Sequence, residues 1–170
     1  MSTKYTDEEL QIRPAKKEDM KAVSEMIQEL ADFEKMPDGP KMSAAALVND
    51  GFEKEPPAFK CKVAELQASG APVVVGYALY FPTYSTWEGK TLMLEDLYVQ
   101  TDHRQRGIGK KLFREVAKEA SSSGCSRLDF HVLEWNPACA FYERAGARDL
   151  TRDECWRYYR LTGDALRDLA

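Results

Sequence analysis

The sequence predicts an α/β protein with a mixed β-sheet flanked by helices. Its 170 residues are 44% hydrophobic and 31% charged, as is ordinary for a folded globular domain. Strand-like runs at 59–66 and 73–81 are joined by a loop with glycine and proline, which is typical of an antiparallel hairpin. Segment 91–133 then has the pattern of strand, helix and strand, which favours a parallel right-handed crossover. The sheet is therefore expected to be antiparallel first and parallel towards its end.

The amino-terminal part of the chain predicts one strand and one long helix. Residues 1–10 are polar and we expect them to be loose, whereas residues 11–170 form a single domain. A short strand begins at Ile12 and ends at Pro14. Apolar residues then recur at helical spacing up to about Phe33, and they are Met20, Val23, Ile27 and Leu30. This spacing predicts an amphipathic helix.

A short helix and two turns lead into the central strands. Residues 36–41 and 53–57 have the composition of turns and loops. Between them, Ser43 can cap a short helix that stops at Gly51. The third central strand is 91–99, and its side chains are expected to alternate between two faces. One face carries Leu92, Leu94, Asp96 and Tyr98, and the other carries Met93, Glu95, Leu97 and Val99.

The carboxy-terminal elements alternate between helix and strand. In chain order they are helix 107–121, strand 126–133, helix 137–145 and strand 156–162. The two helices end at Gly124 and Gly146. The whole order is β-α-α-β-β-β-α-β-α-β. Ligands of such sheets tend to bind beyond the carboxyl ends of the strands, which points to the end of strand 91–99.

Composition argues against several classes of function. A net charge of −4 does not suit a general nucleic-acid binder, and no apolar run approaches the roughly 20 residues of a membrane span. The amino terminus lacks the apolar region of a secretory signal, so we expect a cytoplasmic protein. The cysteines and histidines have no spacing typical of a metal site, so no metal is expected. They are Cys61, Cys125, Cys139, Cys155, His103 and His131.

The stretch RQRGIG (104–109) lies where the third central strand passes into a helix. Glycines at a helix start leave backbone N–H groups open to an anion, most often a phosphate, although a glycine-rich turn can also merely reverse the chain. A P-loop is excluded because Arg104 stands in place of its first glycine and Lys111 in place of its Ser or Thr. A dinucleotide-binding fingerprint lacks its third glycine, since Leu112 occupies that position.

A third phosphate motif, R-x-x-G-x-G, matches Arg104, Gly107 and Gly109. It is the acetyl-CoA pyrophosphate loop of the GNAT N-acetyltransferases. From Ile12 to Trp156 the chain resembles the spermidine/spermine (diamine) acetyltransferase branch of that superfamily, and within the branch it is most similar to thialysine N-epsilon-acetyltransferases. The matching stretches are IRPAKKEDM, LADFEKM, VGYALYFPTYSTWEGK, LEDLYV, RQRGIG, GCSRL, VLEWN and FYERAGA.

The resemblance implies a GNAT-like acetyltransferase fold and a homodimer. It also implies that an amine of a small molecule attacks the thioester of acetyl-CoA directly. A free alkylamine has a pKa near ~10.4 and is mostly protonated at neutral pH, so a base must first take a proton. The leaving thiolate benefits from an acid.

Site residues follow from the same resemblance. Tyr142 is the implied general acid and Glu95 the implied relay of the amine proton through water. The implied cofactor-binding residues are Leu97, Tyr98, Val99, Gln105, Arg106, Gly107, Ile108, Gly109, Lys110, Asn136, Ala138 and Tyr142. The implied substrate-binding residues are Phe33, Glu34, Trp87, Glu95, Asp129, Phe130, His131 and Glu154. From the sequence pattern alone, Tyr142 can equally be an aromatic residue of the core, and Glu95 can be one half of a structural ion pair.

The chain departs from the branch at two places. Gln105 stands where the family usually has glycine, so its Cβ is costly if φ is positive. Six steps separate Asn136 from Tyr142, where the family usually has seven. Two alternatives to a thialysine-type enzyme stay open, namely a spermidine/spermine N1-acetyltransferase and a non-catalytic acyl-CoA-binding module. Ser85 favours the thialysine type because the spermidine/spermine enzymes usually carry an acidic residue there.

Overall fold

The computed structural model describes residues 9–67 and 70–170. The chain divides into two compact units, Met1–His131 and Val132–Ala170. Residues 1–8 of the segment predicted to be loose lie outside the described residues, and Leu10 already begins the first strand. A single domain over residues 11–170 stays a prediction.

One mixed sheet forms the centre of the first unit. In the described residues its five strands are β1 (Leu10–Pro14), β2 (Lys60–Leu66), β3 (Val73–Ser85), β4 (Gly89–Val99) and β5 (Leu128–Phe130). They lie in the order β1-β2-β3-β4-β5. The first four are antiparallel and β5 runs parallel to β4. The predicted α/β class with a mixed sheet is therefore confirmed, although β5 is shorter than the predicted strand 126–133.

The α-helices that accompany this sheet in the described part of the first unit are α1 (Met20–Phe33), α2 (Ala44–Val48) and α3 (Ile108–Ser122). Single turns of 3-10 helix occur at Lys17–Asp19 and Thr101–His103, and a π-helical turn at Asn49–Glu53 follows α2. The Ser43 hydroxyl accepts a hydrogen bond from the Ala46 N–H, as predicted for a helix cap. Within the described part of the chain, no helix combines the length and apolar character that crossing a membrane requires.

The two faces of the sheet carry separate cores. Alternate residues of β3 divide between them, since Ala78 and Tyr80 join the core beneath α3, whereas Tyr77 and Leu79 join the core beneath α1. The α3 core includes Leu92, Leu94, Ile108, Leu112 and Val116. The α1 core includes Met20, Val23, Met26, Val63 and Tyr98. Burial on both faces fixes the register of the strands.

A β-bulge interrupts the alternation in β4, so the predicted division of its side chains is wrong. Leu94 pairs with Tyr80 and Asp96 with Leu79, which leaves Glu95 skipped in the register. One extra residue reverses the faces of the side chains that follow it. Leu94 therefore belongs to the α3 core, while Tyr98 belongs to the α1 core.

The second unit contains α4 (Ala138–Arg144), α5 (Leu150–Glu154) and α6 (Gly163–Arg167). The predicted helix 137–145 is confirmed as α4. The predicted strand 156–162 is wrong, because residues 155–162 have no regular structure. Cys155 ends α5 in the left-handed conformation with φ of 60°, and the side chains beyond it are exposed. A strand needs a hydrogen-bonding neighbour, and this segment pairs with no strand of the described residues.

Candidate active site

The loop between β4 and α3 has the backbone of an anion site. Gln105 and Gly107 both have positive φ, 61° and 85°, which curls the loop around its own N–H groups. Gly107 occupies the N-cap position of α3 and offers no side-chain cap to its first turn. The early N–H groups of this 15-residue helix therefore lack a capping side chain, which suits a negatively charged group.

The glycines of the loop leave room for a ligand against the backbone. A Cβ added at Gly107 has nothing among the described atoms within 4 Å, and one added at Gly109 has Val99 Cγ2 as its nearest contact at 3.8 Å. Open space beside N–H groups at a helix start is what a pyrophosphate requires. The predicted residues Gln105 to Lys110 thus fit a CoA pyrophosphate.

Arg104 fastens this loop to β4 and α1. Its Nε donates a hydrogen bond of 2.8 Å to the Val99 carbonyl. Its guanidinium lies 5.3 Å from the ring centroid of Phe33 and 5.0 Å from that of Tyr98. A planar guanidinium can stack on rings and hydrogen-bond in its plane at once, which a lysine cannot do. The first residue of the R-x-x-G-x-G motif therefore positions the loop.

The end of β4 presents an open backbone edge. Its parallel pairing with β5 covers Leu92 to Leu94 and stops there. On the other side, antiparallel pairing with β3 continues to Val99. Residues 97–99 thus have one backbone edge paired with β3 and one that β5 does not cover, where the Val99 carbonyl already accepts from Arg104 Nε. Such an edge can bind an extended, amide-containing chain through main-chain hydrogen bonds.

An acidic corner forms where α1 ends and β4 bulges. Glu34 is the C-cap residue of α1 and is half-buried, which raises the pKa of its carboxyl. Glu95 is exposed at the bulge. Asp96 is half-buried, and its removal from water raises its pKa to about 6, with the charges of Glu95 and Glu34 adding to the rise. Glu34 and Glu95 are therefore both near enough to Asp96 for their charges to act on its carboxyl.

Sequence reasoning missed Asp96 as a site residue because simple alternation placed it beside Leu94. The Tyr77 hydroxyl donates a 2.9 Å hydrogen bond to Asp96 Oδ2, and Tyr77 is completely buried in the α1 core. Two consecutive acids inside an otherwise apolar strand were the available signal. The bulge that turns Asp96 towards α1 has no mark of its own in the sequence.

Several predicted substrate residues have other partners in the first unit. Trp87 lies in the β3–β4 turn and is 85% exposed. Asp129 accepts a 2.9 Å hydrogen bond from Arg127. Phe130 packs edge-to-face on Phe113, with ring centroids 5.7 Å apart. His131 is exposed at the end of the unit. Asp129 and Phe130 pair with Met93 and Leu94, the two residues of β4 before Glu95. The substrate role of all four residues stays a prediction.

A cavity of about 470 Å³ opens between α1 and the loop after β4. Its lining residues are Glu29, Asp32, Phe33, Tyr98, Gln100, Thr101, Asp102, His103 and Arg104. Phe33 and Tyr98 belong to the predicted site, whereas Glu34 and Glu95 do not line the cavity. Among residues 9–67 and 70–170, no three histidine, cysteine or acidic side chains gather as a metal site.

The second unit holds the predicted general acid on α4. Tyr142 is half-buried there, its ring centroid is 5.0 Å from that of Phe141, and burial raises its pKa to about 12. Asn136 Oδ1 accepts a 2.9 Å hydrogen bond from the N–H of Ala138, the first residue of α4. Glu154 accepts a 2.8 Å hydrogen bond from Trp156 Nε1. The phenol is thus protonated at physiological pH, as a proton donor must be.

Residues 23–147 match the Acetyltransferase (GNAT) family. The chain belongs to the GNAT acetyltransferase family. A thialysine N-epsilon-acetyltransferase from Bos taurus is 46% identical to it over 164 residues, which cover 94% of this chain and 96% of that relative. Spermidine/spermine N(1)-acetyltransferase-like protein 1 from Homo sapiens is 37% identical over 94% of this GNAT chain, but over only 24% of its own length.

A solved acetyltransferase structure from Trypanosoma brucei agrees with the fold. Its TM-score with this GNAT protein is 0.69 at 24% identity, covering 90% of this chain and 99% of that one. Membership of the GNAT family makes the protein an N-acetyltransferase that uses acetyl-CoA, rather than a non-catalytic acyl-CoA-binding module. The predicted family, branch and enzyme class are therefore confirmed.

Proposed function

We propose that this enzyme acetylates a primary amine of a small molecule, either a thialysine- or lysine-like amino acid or a diamine. The observation that carries the proposal is the 46% identity to a thialysine N-epsilon-acetyltransferase over 94% of the chain. An acidic corner beside α1 supports it, because carboxylates attract an alkylammonium group. The reaction is direct attack of the neutral amine on the thioester.

Each proposed site residue has a role set by its chemistry. Acetyl-CoA supplies the activated thioester, and residues Gln105 to Lys110 hold its pyrophosphate through backbone N–H groups. The edge of β4 at residues 97–99 holds the pantetheine arm. Glu95 relays the ammonium proton through water, and the protonated Tyr142 phenol donates a proton to the departing sulfur. The second proton, which the nitrogen loses as the amide forms, returns the Tyr142 phenolate to the phenol. Residues 11–170 act as one catalytic domain.

Other predicted contacts complete the proposed site. In the second unit, Asn136 and Ala138 are the further cofactor contacts. The amine is bound by Phe33, Glu34, Trp87, Asp129, Phe130, His131 and Glu154, as the family resemblance implies. Cation–π contact with aromatic rings and attraction to carboxylates both suit an alkylammonium ligand.

Polyamine acetylation is the second candidate, favoured by the 37% identity to a spermidine/spermine acetyltransferase-like protein. Ser85 favours the first candidate, acetylation of a thialysine- or lysine-like amino acid or a diamine. Its hydroxyl accepts hydrogen bonds of 3.2 Å from the N–H groups of Trp87 and Glu88, and its side chain is buried in the turn. A neutral, buried hydroxyl adds no charge for a second ammonium group, which a polyamine carries.

A panel of amines tests the choice. We expect kcat/KM at saturating acetyl-CoA to be highest for thialysine, lysine or putrescine, measured by thiol release. The same assay with spermidine and spermine is the internal comparison. If either polyamine led the others by more than tenfold, polyamine acetylation would replace the first candidate.

The enzyme is proposed to be a cytoplasmic homodimer, as the branch resemblance implies. In the second unit, exposed aromatic side chains after α5 support a subunit interface, because large exposed apolar patches mark interaction sites.

A further inference from the structure

A buried hydrogen bond joins β3 and β4 on the α1 face of the sheet. The Tyr77 hydroxyl donates to Asp96 Oδ2 over 2.9 Å. Tyr77 has no exposed surface, so its hydroxyl has no competing water, whereas Asp96 keeps part of its surface open. A charge-assisted bond of this kind fixes the orientation of a carboxylate.

The β4 bulge accounts for the direction in which Asp96 points. Because Glu95 is skipped in the pairing with β3, Asp96 turns to the face that carries Tyr77 and Tyr98. Without the bulge its carboxyl would enter the apolar α3 core beside Leu94. The bulge thus puts an oriented carboxylate directly after the exposed Glu95, the residue proposed to meet the ammonium group.

We propose that Asp96 is the acceptor of the proton that leaves the substrate ammonium group, and that Tyr77 is the positioning residue that orients the Asp96 carboxylate. The inference rests on the proposed amine acetylation. In this step the ammonium N–H bond breaks, its electron pair stays on nitrogen, and the proton passes through water or Glu95 to a carboxylate oxygen of Asp96. After acetyl transfer, Asp96 releases the proton to water.

The surroundings of Asp96 suit a proton acceptor. Burial raises its pKa to about 6, so it holds a proton more readily than an ordinary aspartate yet is ionised at neutral pH. The titratable groups that act on it are Tyr77 on β3, Cys61 on β2, Glu34 at the end of α1 and Glu95 on β4. Tyr77 and Cys61 are neutral near pH 6, since burial raises the pKa of both.

Removing the Tyr77 hydroxyl should raise the pKa of Asp96. The hydrogen bond from Tyr77 favours the charged carboxylate and holds the pKa of Asp96 below the value that burial alone would give. Activity that requires the carboxylate is lost as the pH falls through about 6. In Tyr77→Phe we expect this acidic limb of the kcat/KM profile to move upward by about one pH unit.

A matched control lies on the opposite face of the same strand. The Tyr80 hydroxyl donates a 2.7 Å hydrogen bond to Glu119 Oε2 in the α3 core, so Tyr80→Phe loses a comparable contact on the face of the sheet opposite to the Tyr77–Asp96 bond. Its pH profile should coincide with that of the wild type. Asp96→Asn should lower kcat/KM by about a hundredfold at pH 7.5 with acetyl-CoA affinity unchanged, and Asp96→Glu should recover part of the rate.

The outcomes separate this inference from the proposed function. The inference is supported if the acidic limb of kcat/KM moves upward in Tyr77→Phe but not in Tyr80→Phe, and if Asp96→Asn loses kcat/KM. Coincident profiles for wild type, Tyr77→Phe and Tyr80→Phe overturn it, even if Asp96→Asn fails to fold. A wild-type enzyme that releases no thiol with any amine of the panel overturns the proposed function instead.

Discussion

The Tyr142 phenol is the residue on which the proposed acid catalysis depends. Burial on α4 raises its pKa to about 12, so the proton is present throughout the pH range in which an enzyme works. A phenol with a raised pKa stays neutral until the pH approaches that value. The rate should therefore show no loss from Tyr142 ionisation between about pH 7 and 10.

We expect Tyr142→Phe to lower kcat by about a hundredfold with little change in the KM for acetyl-CoA, because the ring stays and only the proton is lost. Steady-state thiol release measures both constants. Tyr159→Phe, at an 81% exposed tyrosine of the same unit, is the control and should behave as wild type. A Tyr142→Phe rate within threefold of wild type contradicts the acid role.

Gln105 has the positive φ on which the backbone cost expected from the sequence depended. Its φ is 61°, where a side chain with a Cβ costs roughly 1–2 kcal/mol relative to ordinary regions. Glycine removes that cost but gains entropy in the unfolded chain. We expect Gln105→Gly to raise the free energy of unfolding by about 0.5–1 kcal/mol, measured by urea denaturation.

The matched variant Gln105→Ala keeps the Cβ and removes the rest of the side chain. It should give no gain in stability, since the strain lies in the backbone. Equal stabilities for the glycine and alanine variants would show that the left-handed backbone at this position is not the source of the cost.

At the scale of elements, the helices and strands that depend on local sequence patterns were predicted correctly. The apolar spacing from Met20 to Leu30 gave α1, and the run 91–99 with the glycines after it gave β4 and α3. The short helix α5 was missed although Asp149 caps it, with Oδ1 accepting from the N–H groups of Thr151 and Arg152. A capping residue before a polar helix of one turn is a weak signal.

The bulge in β4 and the absence of a strand at 156–162 depend on contacts between distant parts of the chain, which a local sequence pattern does not show. The bulge at Glu95 follows from how β3 and β4 match their apolar residues on two faces, and it determines that Asp96 joins Tyr77. The segment 156–162 has strand-like composition, but a strand exists only with a partner. The proposed roles of Tyr142 and Glu95 came from the family resemblance and the loop from its motif, whereas the position of Asp96 required the fold.

At the scale of the whole molecule, the exposed side chains after α5 bear on assembly. In the second unit, Trp156 is 58% exposed, Tyr159 81% and Leu161 56%. Such a surface is costly to leave in water, and a second copy of the chain can cover it. Light scattering after size exclusion should give twice the chain mass of 19.3 kDa for the wild type.

Charges placed in this segment test the homodimer directly. Tyr159→Glu combined with Leu161→Glu should weaken association by at least a hundredfold, or about 3 kcal/mol, because two carboxylates would be buried at an apolar interface. Val73→Glu, at a half-exposed apolar residue of the first unit, is the control and should stay dimeric. A doubly substituted protein that keeps the dimer mass at low micromolar concentration would remove this segment from the interface. A wild type of single-chain mass would remove the homodimer itself.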